Sequence, residues 1–407
     1  NFRRKSTAST LLKLPKYTTL YSIFLDSFGI ISATHQAMEK PNFFYFSILL
    51  LLLVGCEQIQ KATDVVTNPT ARELYDRNFE KNDSVLLSWK QAFRSAQKDS
   101  TIVTLPYTET GVFSAEKFNV HSYNIQLREG EQLVVSLAKQ PDSTLVFIEL
   151  FEKLKDSSNT YRLLQASAPN SSQLNYTIQK HGDFKVTVQP EINTDARFQL
   201  KIYTQPTYGF PVSGATNKNV QSFWAAPRDG GKRSHEGIDI FSARGTPLLA
   251  VTDGRISSTG NRGLGGKQVW LRDGLFGKTI YYAHLDSIAV REGQKVALGD
   301  TIGYVGNTGN AETTEPHLHF GIYKGSTGPL DPYPYIKKTE IPEITTQNKV
   351  THAIVSKNKT GVHQGPSAAL DELAILSKND TLSVLGAHGT WFYIRANDSI
   401  KGFVAQS

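Results

Sequence analysis

Apolar residues follow two different spacings along this chain, and the change between them divides it into blocks. Between residues 56 and 100, large apolar residues recur at roughly helical spacing, at Leu74, Phe79, Leu86, Leu87, Trp89 and Phe93. Asp83 or Ser84 could be the N-cap of the helical segment that contains Leu86 to Phe93. The block at 56–100 is therefore predicted to be a tether followed by a short N-terminal helical segment.

From residue 101 to 205 the pattern changes to the alternation of β-strands, as in YNIQLREGEQLVVSLAK. Short strands separated by turn residues predict an antiparallel β-sandwich, with His121 and His181 at its surface or in turns. Residues 206–338 are again β-rich, and Asp273-Gly274 predicts a hairpin. A polar linker at 339–349 leads to a last block, 350–407, which has the size of a small barrel.

Composition and charge exclude some classes of protein. The 407 residues are 39% hydrophobic and 20% charged, which is typical of a globular protein of two to three domains. The formal charge is +7, but residues 1–37 hold +4 of it: one acidic residue, Asp26, against Arg3, Arg4, Lys5, Lys13 and Lys16. The remaining +3 predicts no nucleic-acid partner and would suit a polyanionic wall polymer equally well.

The single Cys and the single Met both lie near the start of the chain. Met38 opens MEKPNFFYFSILLLLLVGC, which ends at Cys56. Its apolar run, 43–54, is shorter than the ~20 residues needed to span a bilayer and fits a secretory signal. LVGC resembles the lipobox of bacterial lipoproteins, which implies that Cys56 is lipidated and anchors the chain to a membrane. We therefore expect 38–55 to be a lipoprotein signal peptide and 1–37 an over-translated leader.

Two histidine-bearing motifs raise the possibility of a metal site in the third block. In PHLHFGI, His317 and His319 share one face of a strand; in HEGIDIF, His235 and Asp239 share a face whether the segment is strand or helix. Gly237, followed by isoleucines, favours a loop leading into a strand. Each pair alone is more often structural than metal-binding, but His284 in YYAHLDS adds a third histidine segment to the same block. Zinc accepts imidazole nitrogen and carboxylate oxygen, and its catalytic sites keep one position open for water.

HEGID, YYAHL and PHLHFGI, in this order, closely resemble the motifs of the lysostaphin/LytM-type zinc metallopeptidases over about 130 residues. The resemblance implies that His235, Asp239 and His319 bind Zn²⁺, while His284 and His317 flank the open position and share proton transfer and oxyanion stabilisation. The chain has no H-E-x-x-H motif, and Glu236 is expected to point away from the face of its neighbours. The last block resembles bacterial SH3-like domains through Gly365-Pro366-Ser367, Trp391 and GFV at 402–404.

The predicted fold is therefore mostly β and multidomain: an accessory β-sandwich, an antiparallel β-sheet peptidase domain of the lysostaphin type, and a small SH3-like barrel. The resemblance implies a zinc metalloendopeptidase that hydrolyses peptide cross-links in the peptide stems of peptidoglycan. It would act at the cell envelope and be lipid-anchored to the outer membrane, with D-Ala to meso-diaminopimelate as the expected bond. The alternative is a catalytically silent wall-binding lipoprotein, or an activator of other wall hydrolases.

Overall fold

The computed structural model describes residues 63–406 except 116, 156–159, 275–276, 346, 349 and 397–399. The predicted leader, signal peptide and Cys56 lie outside the described residues. Residues 69–407 form one compact unit. This unit is mostly β, and its strand pairs are antiparallel, which confirms that part of the predicted fold class. In the part of the chain that the structure describes, no helix is long and apolar enough to cross a membrane.

Two capped helices precede the first strand. Helix α1 is Ala71–Asp76 and begins with a capping box, in which the Thr70 hydroxyl accepts from the Glu73 N–H and the Glu73 carboxylate accepts from the Thr70 N–H. Helix α2 is Ser84–Ala96, and the predicted cap Asp83 accepts from the first-turn N–H groups. Trp89 of α2 is buried, and its indole N–H donates to the Pro190 carbonyl, which fastens the helix to the sandwich.

Two facing sheets form the sandwich, in the strand orders β1-β8-β3-β6 and β2-β7-β4-β5. Their inner faces meet in one apolar core. The strands are β1 Tyr107–Phe113, β2 His121–Leu127, β3 Glu131–Gln140, β4 Val146–Lys153, β5 Tyr161–Ala166, β6 Gln173–Thr177, β7 Gly182–Pro190 and β8 Ala196–Pro206.

The third block has its own core, drawn from residues between Tyr208 and Ile336. Its main sheet has the order β18-β14-β15-β16-β20-β12-β9, and β13-β19-β17 form a small second sheet. Helix α3, Tyr333–Ile336, closes the block. The strands are β9 Val220–Ser222, β10 Pro227–Arg228, β11 Arg233–Ser234, β12 Ile238–Phe241, β13 Pro247–Leu249, β14 Gly254–Asn261, β15 Lys267–Arg272, β16 Thr279–Ala283, β17 Leu285–Ile288, β18 Lys295–Val296, β19 Thr301–Val305, β20 His317–Lys324 and β21 Gly328–Leu330.

The last block does not stand apart from the sandwich. Strand β25 pairs with β1 through Thr110↔Ala387 and Gly111↔Gly386, so the sandwich sheet continues into this block. Leu385, Tyr393 and Phe403 lie in the sandwich core. The strands are β22 His352–Ile354, β23 Thr360–His363, β24 Glu372–Leu376, β25 Thr381–His388, β26 Trp391–Arg395 and β27 Lys401–Ala405.

His121 corrects one prediction. It was expected at the surface or in a turn, but it is 1% exposed, with Nδ1 3.0 Å from Oε1 of the buried Glu109. The other carboxylate oxygen of Glu109 accepts hydrogen bonds from the hydroxyls of Tyr107, at 2.5 Å, and Tyr123, at 2.8 Å. The polar–apolar alternation of β2 did not predict the burial of His121, because histidine occurs at both buried and exposed positions in such a pattern. His181 is exposed, as predicted.

Candidate metal centre

A short hairpin and two central strands bring together the first three predicted residues. His235 forms backbone hydrogen bonds with Ala225 and Ala226. These bonds hold the end of the β10–β11 hairpin against the chain that precedes it. Strand β12 pairs with β20 in a register that sets Asp239 directly opposite His319. Gly237 is required here by space, because a Cβ would lie 2.6 Å from the Phe320 carbonyl oxygen and 2.7 Å from the His319 ring.

The ligand atoms of these three residues form a small triangle. His235 Nε2 lies 3.0 Å from His319 Nδ1 and 3.1 Å from Asp239 Oδ1, and His319 Nδ1 lies 3.0 Å from the same oxygen. His235 and Asp239 are buried, and the His319 side chain is 17% exposed. The structure therefore brings His235, Asp239 and His319 together, in a donor set that fits zinc.

The protonation states also fit a cation. His235 Nδ1 lies 3.0 Å from the Phe223 carbonyl oxygen, which can only accept, so Nδ1 carries the proton and Nε2 presents a lone pair to the triangle. Burial lowers the pKa of His319 and so favours its neutral form. Burial also pushes the pKa of Asp239 upward, but the neighbouring imidazoles of His235 and His319 outweigh it and hold that pKa well below its ordinary value. Two neutral imidazoles and a carboxylate are the forms that bind metal.

His284 and His317 lie beside the triangle, in the same cleft. Their ring centroids are 5.1 Å apart, and the His284 ring is 5.9 Å from that of His319. His284 Nδ1 donates to the Thr308 carbonyl and His317 Nδ1 to the Glu315 carbonyl, each at 2.8 Å, which leaves both Nε2 atoms as acceptors. Burial lowers the pKa of His284 to about 4. His284 also has a φ of +65°, a strained conformation of the kind that clusters at functional sites.

The cleft that holds these five residues has a volume of about 790 Å³ and an aromatic wall. Trp270 stacks on Tyr281 with ring centroids 4.2 Å apart, and Tyr323 lies 5.4 Å from Trp270. Tyr281 is thus part of the lining of the cleft. Glu236 corrects another prediction: it was expected to point away from the face of its neighbours, but it is exposed and lines the cleft. The tight turn at Gly237 explains the difference, because strict alternation starts only at β12.

Arg228 is the residue at this site that sequence reasoning missed. It lies on β10, opposite Arg233 of β11, and its Nη2 donates to Asp239 Oδ2 at 2.5 Å and to Ser222 Oγ at 2.7 Å. No spacing rule marks this arginine, because it reaches the triangle through a hairpin whose pairing is visible only in three dimensions.

Comparison with known proteins finds relatives of the block that contains this cleft. Residues 233–332 match the model of Peptidase family M23. The L-Ala–D-Glu endopeptidase of Bacillus subtilis (strain 168) is 36% identical over 144 residues, which is 33% of this chain and 44% of that protein. The glycyl-glycine endopeptidase ALE-1 of Staphylococcus capitis is 38% identical over 112 residues, 26% of this chain and 29% of that protein. This chain therefore spans less than half the length of these curated relatives.

A solved structure, the catalytic domain of the antimicrobial peptidase lysostaphin from Staphylococcus simulans, is 29% identical, with a TM-score of 0.25. The match covers 32% of this chain and 91% of that one. Lysostaphin of the same organism also matches by sequence, at 39% identity over 111 residues, 25% of this chain and 21% of that protein. Residues 233–332 are thus similar to Peptidase family M23, and lysostaphin is among the proteins that the chain resembles.

Proposed function

We propose that this protein is a zinc metalloendopeptidase of the cell envelope that hydrolyses the peptide cross-links of peptidoglycan. The observation that carries the proposal is the convergence, in one cleft, of three ligand atoms 3.0–3.1 Å apart and two histidines whose Nε2 atoms are free to accept a proton. His235, Asp239 and His319 would hold the zinc ion. Bound zinc would polarise the substrate carbonyl and lower the pKa of a water molecule towards neutrality.

His284 and His317 supply the proton chemistry. A neutral Nε2 accepts a proton from the attacking water; the resulting imidazolium can then deliver that proton to the leaving amine nitrogen as the C–N bond breaks. A protonated Nε2 also donates a hydrogen bond to the oxyanion that forms on the carbonyl carbon. The carbonyls of Thr308 and Glu315 fix both rings by accepting from Nδ1, so each ring keeps Nε2 for the substrate.

The substrate class is suggested by the two endopeptidases described above. Their names specify different bonds, L-Ala–D-Glu and glycyl-glycine, so likeness to them does not select one bond for this cleft. We propose D-Ala to meso-diaminopimelate cross-links. We also propose that lipidated Cys56 holds the enzyme at the outer membrane, and that the last block is an SH3-like module that binds wall peptides. Tethering would raise the local concentration of enzyme at the wall without new contacts.

Mass analysis of muropeptides tests the proposal. Protein that begins at residue 57 is incubated with purified sacculi, with zinc or with a chelator, and the soluble products are identified. We expect cleaved cross-links with zinc, none with the chelator, and recovery when zinc is restored. Sacculi that stay intact in zinc while the protein still sediments with them would instead favour the alternative, a catalytically silent wall-binding protein.

A further inference from the structure

Arg228 forms hydrogen bonds at the proposed metal site, and the number of hydrogens on its Nη2 atom decides which contacts these are. Its Nη2 lies within 3.0 Å of three atoms: Asp239 Oδ2, Ser222 Oγ and His235 Nδ1. This nitrogen has two hydrogens, and the two oxygens accept them. Since His235 Nδ1 gives its own proton to the Phe223 carbonyl, its contact with Nη2 is packing rather than a hydrogen bond.

The two oxygens of Asp239 are therefore assigned to different partners. Oδ1 faces His235 Nε2 and His319 Nδ1, while Oδ2 accepts the charge-assisted bond from Arg228. Asp239 is 6% exposed, so water does not readily replace the guanidinium as the partner of Oδ2. The Arg228 side chain itself is 35% exposed and lines the cleft.

We propose that Arg228 is a positioning residue that keeps Asp239 a one-oxygen ligand. With Oδ2 held by the guanidinium, only Oδ1 is available to a cation, and the coordination place that Oδ2 would otherwise take stays open for water. This inference rests on the proposed function only in taking His235, Asp239 and His319 as the ligands. The residue would act through Asp239.

A positioning role and simple electrostatics predict opposite results for the loss of Arg228. Removing a positive charge beside a cation site should tighten cation binding if only charge matters. Loss of a residue that orients a ligand costs 10- to 100-fold in metal affinity. The sign of the change in zinc affinity therefore separates the two explanations.

The experiment compares Arg228→Gln and Arg228→Lys with a matched control, Lys232→Gln. Lys232 is an exposed cation in the turn of the same hairpin, so the control removes the same charge without disturbing Asp239. Zinc dissociation constants are measured by competition with a chromophoric chelator, and the visible spectrum of the cobalt(II)-loaded protein reports coordination number. Melting of the metal-free proteins checks that each variant folds.

We expect Arg228→Gln to bind zinc roughly 10- to 100-fold more weakly, with a weaker cobalt(II) band as Oδ2 joins the coordination sphere. Arg228→Lys should fall between Gln and wild type, because an ammonium can donate to Oδ2 but lacks the planar guanidinium that fixes the direction of both Nη2 bonds. Lys232→Gln should match wild type. Zinc affinity of Arg228→Gln that equals or exceeds that of wild type would overturn the inference, and so would an unchanged cobalt(II) spectrum. Wild-type protein that binds no zinc would instead remove the proposed function itself.

Discussion

The two histidines of PHLHFGI are separated by one residue in one strand, yet they have different contacts, and single substitutions can separate the two roles proposed for them. His319 Nδ1 lies 3.0 Å from both other atoms of the triangle. His317 stacks on Phe241, with ring centroids 4.9 Å apart, and donates to the Glu315 carbonyl. We therefore expect His319→Ala to lose zinc, and His317→Ala to keep zinc while losing hydrolysis.

The size of each effect follows from what is removed. Zinc sites are worth about 10–16 kcal/mol, which divided over four ligands is about 2.5–4 kcal/mol for each. Loss of His319 should then raise the zinc dissociation constant by roughly 10²- to 10³-fold. His317 supplies proton transfer or oxyanion stabilisation, so its loss should lower kcat/KM by about 10²- to 10⁴-fold at saturating zinc. Its zinc affinity should stay within a few-fold of wild type.

Zinc competition and muropeptide cleavage, measured on the same preparations, provide the test. His352→Ala serves as the control, because this exposed histidine lies on β22, in the last block. If His317→Ala lost zinc as completely as His319→Ala, the assignment of only the second histidine as a ligand would be refuted. Full activity of His317→Ala would refute its catalytic role while leaving the metal site intact.

Two further predictions concern the body of the protein. Gly386→Ala should lower the free energy of unfolding in urea by about 1–3 kcal/mol, because the new Cβ would lie 2.6 Å from the Glu109 carboxyl carbon. Gly182→Ala is the control and should cost less, because the nearest atom to its new Cβ is 3.8 Å away. Equal losses in the two variants would contradict this prediction. Burial lowers the pKa of Lys185 to about 8, so between pH 8 and the ordinary 10.5 the unfolded chain binds more protons and stability rises with pH. The advantage of wild type over Lys185→Met in unfolding free energy should therefore grow by about 3 kcal/mol from pH 7.5 to 10.5, and an advantage that does not change with pH would count against it.

The sequence predicted those features of the site that depend only on local backbone geometry. Strand periodicity placed His317 and His319 on one face, and the breaker Gly237 placed the start of β12 correctly. The Asp239↔His319 register was not predictable in the same way, because it depends on which strands pair across a long stretch of chain. Arg228 was missed for the same reason, since its contact with Asp239 depends on the path of a hairpin rather than on residue spacing.

Pairing between strands that are distant in the sequence also joins the last block to the sandwich, which the predicted block boundaries did not indicate. The pattern at 350–407 predicts a small barrel, and that block does have a core of its own. Nothing in local alternation shows that β25 continues the sheet through β1, or that Tyr393 and Phe403 complete the sandwich core. The third block differs, because every residue of its core lies between Tyr208 and Ile336.

This contrast predicts which parts of the chain can be separated. Removing 350–407 takes Leu385, Tyr393 and Phe403 from the sandwich core, at about 1.5–3 kcal/mol each, and leaves the β1 edge unpaired. The total approaches the whole stability of a typical domain. Amide hydrogen exchange followed by mass spectrometry should then show β1 and β8 losing protection, while the third block keeps its zinc affinity. Unchanged protection of β1 in the shortened chain would show that the shared sheet contributes little, and the last block could then be treated as an independent module.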